Sequence, residues 1–181
     1  MQKNKSISGF ATVKRLTLAA MLCAMSVVIG IFCKTVMNFG GGLFRVTFEN
    51  LPIILAGILL GPIVGGFVGC AGDLISYLLS SQAYPPNLIV TLGAIAVGVV
   101  SGIFAKHVVT KRGNAQIIFS GLAAHMIGSM IIKPIGLFQF YGIAVLWRIP
   151  LYLGIAPVEI ILLCLLFKSE SFKKIISDIK G

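Results

Sequence analysis

The sequence predicts an all-α membrane protein: six transmembrane helices in one integral domain over 1–181, with both termini cytoplasmic. Three observations carry this. Of the 181 residues, 57% are hydrophobic and only 11% charged, and mean hydropathy is +1.02; a soluble domain has about 45–50% apolar and about 25% charged residues. Helices apolar on every side belong in lipid, where each backbone N–H and C=O is satisfied within its own helix. At about 20 residues per crossing, the chain holds roughly six helices with short connections and no separate soluble domain. Third, the net charge of +10 comes from basic residues concentrated in tails and loops. That distribution is a topology signal rather than a nucleic-acid footprint, since no basic stripe is interleaved with aromatics.

The first helix, about 13–33, follows Lys3, Lys5, Lys14 and Arg15. Its apolar run exceeds the roughly 7–15 residues of a signal-peptide core, so it is read as retained. Residues 51–80 form a near-continuous apolar stretch, and a single helix of that length needs heavy tilt. Gly61-Pro62 in its middle marks a turn, which divides it into a short helix at 51–60 and another at 63–79. Helices at about 87–106, 115–132 and 146–167 follow. Charge counting favours this division. With six crossings, eleven Lys and Arg lie inside, and only Lys34, Arg45, Lys133 and Arg148 lie outside. With five crossings, six remain inside and nine fall outside. The first outer loop carries Gly40-Gly41-Gly42, which permits movement, and then a locally extended stretch from Leu43 to Phe48.

No P-loop, nucleophile elbow or zincin motif is present. Two histidines are too few for a His-based metal cluster, and Cys23, Cys33, Cys70 and Cys164 form no C-x-x-C pair. No catalysis, cofactor or metal is predicted, so any ATP-driven work is supplied by another protein. Asp73, His125 and Glu159 are ionisable groups inside predicted helices, which makes them functional candidates. They either face a ligand cavity open to the outside or form a mutually paired polar knot. The outer surface combines four cations and one carboxylate, Glu49, with aromatics including Phe44, Tyr84, Tyr141 and Trp147. Rings beside cations suit an anionic ligand with a planar heterocycle; the alternative is an interfacial aromatic belt with snorkelling cations. Ala20 and Ala24 form a small-x-x-x-small pair, the spacing that lets another membrane helix approach closely.

Several segments together resemble one family: Ala20-Met-Leu-Cys-Ala24, Phe44-Arg-Val-Thr-Phe-Glu-Asn-Leu-Pro-Ile-Ile-Leu-Ala-Gly57, and Gly61-Pro-Ile-Val-Gly65 leading to Gly72-Asp-Leu-Ile75. Tyr84-Pro-Pro-Asn87, His125-Met-Ile-Gly-Ser129 through Lys133, and Leu146-Trp-Arg-Ile-Pro150 continue the pattern. In order and spacing the chain is similar to the substrate-binding S components of energy-coupling-factor vitamin transporters, and within them to the folate type. The resemblance implies the S-component fold with a short second helix and a vitamin pocket near the outer face. It also implies docking through Ala20 and Ala24 onto a transmembrane coupling subunit, two ABC-type ATPases as further partners, and a bacterial cell membrane as the location. For folate, Phe44 and Tyr84 are the candidates to stack the pterin, and Asp73 and Asn87 to bond its edge. Arg45, Lys133 and Arg148 are placed to meet the glutamate carboxylates, with His125 a further pocket candidate. Another vitamin on the same fold is the alternative. A small intramembrane enzyme or standalone carrier is a third reading, without a visible catalytic constellation.

Overall fold

The computed structural model describes residues 3–39, 44–80, 87–109, 113–170, 172–174 and 177, with side chains described from residue 13 onward except at 38, 39 and 44. Gly40 to Leu43, Tyr84 to Pro86, Lys111, Arg112 and Lys180 lie outside this set. Helix α1 runs Lys3–Thr35 and leads into a short antiparallel pair, β1 (Asn38–Phe39) and β2 (Phe44–Arg45), with Asn38 opposite Arg45. Then come α2 (Asn50–Leu60), α3 (Pro62–Leu79) and α4 (Leu88–Ile103), the last continuing as a π turn over Phe104–Val108. Helix α5 (Asn114–Ala124) passes through a π segment, His125–Ile132, into α6 (Lys133–Tyr141). A 3₁₀ turn, Gly142–Trp147, joins it to α7 (Arg148–Lys168).

Among the described residues, four helical stretches are long and apolar enough to cross a membrane: Val13–Thr35, Pro62–Leu79, Leu88–Val108 and Asn114–Lys168. The last doubles back. Gly142 adopts φ +56°, which caps α6 by donating its N–H to the Phe138 carbonyl, a left-handed ending that favours glycine. The chain then returns so that α7 packs against α5. The sequence reading left 133–145 as a connection, but most of it is helix. Lys133-Pro134 stops no helix there, because the preceding residues already carry helical dihedrals and the missing proline N–H falls where the π segment ends.

The short helix α2 is the innermost element. Ile54 and Ala56 are fully buried, in one cluster with Leu22 of α1, Val68 of α3, Val97 of α4, Ala124 of α5 and Leu163 of α7. A helix surrounded on every side needs no polar face, which accounts for the unbroken apolar run. Gly61, at φ +100°, makes the α2–α3 turn, and Pro62 starts the next helix where its missing N–H costs nothing. Gly57, Gly65 and Gly98 bring α2, α3 and α4 into backbone contact. A Cβ on Gly65 would lie 2.6 Å from the Gly98 carbonyl oxygen and 2.7 Å from Gly57 Cα. Elsewhere large apolar side chains face outward, among them Phe67, Leu78 and Leu88, as a lipid-facing surface requires.

Candidate functional site

Helices α1, α3, α4, α6 and α7 and the strand pair converge at one end of the bundle, the loop end. There the fold buries charge. Lys34 stands in the last turn of α1, Arg45 on β2, Glu49 just before α2, Asp73 on α3 and Lys133 at the start of α6, and none is more than 9% exposed. Glu49 is the hub. Its Oε1 lies 3.3 Å from Lys133 Nζ and 3.4 Å from Arg45, and its Oε2 lies 3.8 Å from Lys34 Nζ. Lys34 also reaches Asp73 at 3.9 Å and donates to Ser76 Oγ at 2.5 Å. Thr91 Oγ1 donates to Asp73 Oδ2 at 2.9 Å. Lys133 donates to Asn50 Oδ1 at 3.1 Å, and Asn50 Nδ2 to Ser129 Oγ at 3.3 Å. The backbone permits this closeness, since Gly30 on α1 faces Glu49 and Ser76 with no side chain between.

Desolvation alone would push the Glu49 carboxyl up. Lys34, Lys133 and Arg45, together with the hydrogen bond from Lys133, outweigh burial and hold it well below the usual carboxylate range. Glu49 is therefore ionised, and the cluster holds three cations against two carboxylates. A buried site with surplus positive charge favours an anion. Beside it lies an apolar patch of Val90, Leu137 and Val145, flanked by Tyr77 and Tyr141. The Arg148 guanidinium sits over the Tyr141 ring, 5.7 Å from its centroid, within cation–π range.

The sequence candidates divide. Arg45, Asp73 and Lys133 meet in the one network, and Arg148 is buried at the same end. Asn87 serves the scaffold: its Oδ1 accepts from Ile89 N at 2.9 Å, capping α4, and its Nδ2 donates to the Gly136 carbonyl at 2.5 Å. His125 lies one turn deeper than Ser129, with Nε2 2.6 Å from Glu159 Oε2 on the returning helix. That contact is a paired knot of the kind weighed against a cavity-facing role. Because the helix continues to Tyr141, His125 stands near its middle. Phe44 has its backbone on β2, and Tyr84 lies outside the described residues. Ala20 and Ala24 are both exposed on α1.

Lys34, Glu49, Asn50, Ser76 and Thr91 were not singled out. Lys34 and Glu49 entered only the charge count. The signal lay in their position: each stands within a turn of an apolar helix end, where burial next to a partner is a short step away.

Chemically, the site combines buried cations and carboxylates with an apolar patch edged by two tyrosines. Among the described residues, no group of three His, Cys, Asp or Glu is arranged to hold a metal ion.

Compared with known proteins, residues 14–176 match the family described as ECF transporter, substrate-specific component. A stretch of 101 residues, 56% of this chain, is 32% identical to "Uncharacterized protein MG098 homolog" of Mycoplasma pneumoniae (strain ATCC 29342 / M129 / Subtype 1). The match covers 20% of that protein, so the chain spans a small part of the relative's length. Among solved structures, "Crystal structure of FolT bound with folic acid" superposes with a TM-score of 0.64 at 23% identity, over 84% of this chain and 93% of that one. At that identity the likeness concerns the all-helical fold.

Proposed function

Because the chain belongs to the family of substrate-specific components of ECF transporters, we propose that it captures folate at the outer face of a bacterial cell membrane for delivery inward. Members of this family are transport subunits, not enzymes, and work with an energising module. For this chain we propose that the module comprises a transmembrane coupling subunit and two ABC-type ATPases. In this reading the chain makes six crossings, with both termini cytoplasmic and the loop end outside.

The observation that carries the substrate reading is the buried cluster of Lys34, Arg45 and Lys133 around Glu49, with surplus positive charge at the loop end. Folate carries two carboxylates and a flat pterin. Lys133, Arg45 and Arg148 supply cations for the carboxylates; a ligand charge buried without partners would be costly. Tyr77 and Tyr141, with Phe44 and Tyr84, are the rings for the pterin, and Asp73 is the carboxylate for its amino-pyrimidine edge. Asn87 and His125 act one step removed, by fixing helices that carry the contacts.

Binding to the purified protein in detergent tests this directly, read by calorimetry or by the single tryptophan, Trp147. Saturable folate binding without ATP is expected, weakened roughly tenfold or more in Lys133→Ala. Folded protein that ignores folate but binds another vitamin from a panel would transfer the site to that ligand. The same surplus charge suits any anionic vitamin, which makes that the second reading.

A further inference from the structure

We propose that the end of the bundle opposite the buried charges holds a binding site for one anionic phospholipid. The observation is a cavity of about 650 Å³ bounded by α1, α2, α4, α5 and α7. Its origin is the length of α2. Eleven residues rise about 16 Å, against about 30 Å of hydrocarbon, so α2 stops short and its neighbours extend past it. The Gly61 turn consequently leaves irregular backbone at membrane depth, which is tolerated only where protein or a polar cavity covers it.

The lining has two chemistries. Leu59, Leu60, Ile117 and Phe167 make an apolar floor, and Arg15 and Lys106 supply two cations. Among the described residues, no carboxylate lines the cavity. Both cations are exposed at the ends of membrane-length helical stretches. A phosphodiester between Arg15 and Lys106 would gain charge-assisted hydrogen bonds, while the first acyl carbons cover the floor. A small soluble anion meets the cations but leaves the floor bare, and a neutral lipid does the reverse. The anionic phospholipid is the one occupant that satisfies both, and its headgroup lies at the level where basic residues meet the bilayer surface. The site is remote from Glu49 and its partners, so its test does not depend on the identity of the vitamin.

The experiment is native mass spectrometry of the full chain in neutral detergent, with phosphatidylglycerol or phosphatidylcholine of identical chains added. One phosphatidylglycerol should be retained in preference to phosphatidylcholine. Each cation removed should cost roughly fivefold in retention, so the R15Q/K106Q variant should lose the preference. K168Q/K174Q, which removes the same net charge from exposed positions outside the cavity lining, should keep it. Both variants should unfold at the wild-type temperature, since all four side chains are solvent- or interface-facing. Equal retention of the two lipids overturns the proposal, as does a preference that survives in R15Q/K106Q or is lost equally in K168Q/K174Q. Displacement of the lipid by millimolar inorganic phosphate assigns the cations to a free anion and also overturns it. So does retention that appears only with an acidic peptide.

Discussion

Glu49 is one carboxylate held by three buried cations, and its removal takes a shared ion-pair partner from all three. Breaking a buried ion pair costs about 3–5 kcal/mol, so Glu49→Gln should lower thermal stability in detergent by that order. The sign of the pH dependence follows from the direction of the shift. The folded-state pKa lies below the unfolded value of about 4.3. The stabilisation is therefore present above that value and disappears as pH falls through the folded pKa. The gap between wild type and Glu49→Gln should stay constant from pH 8 to pH 5 and close only in strong acid, as thermal unfolding series would read. A gap that closes near pH 6 would mean that burial outweighs the cations and raises the carboxyl's pKa instead. At this scale the sequence was half legible. Asp73 stood out because a charge in an apolar helix is expensive, and Lys133 only as one of four cations placed on the outer side. Lys34 and Glu49 did not, because a charge at a helix end looks solvated until the neighbouring elements close over it.

At the scale of elements, the packing of α2, α3 and α4 rests on glycine. A Cβ on Gly98 would overlap the Gly65 carbonyl, which is backbone and cannot rotate away. Gly98→Val should prevent close approach of α3 and α4 and cost several kcal/mol, of the order seen for overpacked cores or more; the readout is loss of the monodisperse peak in size-exclusion chromatography. A milder Gly154→Ala, where nothing lies within 4 Å, should behave as wild type. Helix α1 presents the opposite case. Ala20 and Ala24, with Leu16 and Val28 in the same i, i+4 row, face away from the bundle. Ala20→Leu with Ala24→Leu should reduce co-purification with the coupling subunit while leaving vitamin affinity unchanged. Unchanged co-purification would remove this face from the docking surface. The sequence singled out the alanine pair by its spacing but passed over Gly57, Gly65 and Gly98. Their relation runs between helices, and no periodicity within one helix displays it.

For the molecule as a whole, the membrane character followed directly from composition, because no soluble core accommodates that much apolar surface. The division at Gly61-Pro62 was legible in the same way, from a stretch too long to be one helix and a pair of residues suited to a turn. The helical character of 133–145 was not legible. Lys133 counted as a cation outside the helices, yet it is turned inward to Glu49. The orientation proposed from the charge asymmetry is testable. In a cysteine-free background, Ile143→Cys, which is 74% exposed at the turn, should react with a membrane-impermeant maleimide applied to intact cells. Lys173→Cys should react only after permeabilisation. The reverse pattern would invert the protein in the bilayer and move the buried cations to the cytoplasmic side.

The contact between His125 and Glu159 also constrains how the chain is made. The two residues stand seventeen positions before and after Gly142, so folding at that glycine brings them level. Each alone would carry an ionisable group to the middle of the hydrocarbon, where a charge costs about 2.5–3.5 kcal/mol during insertion. Delivered together as a hairpin, each enters with the other already beside it. The stretch from Asn114 to Lys168 is therefore expected to insert as one hairpin, with α5 settling in the lipid only once α7 has joined it.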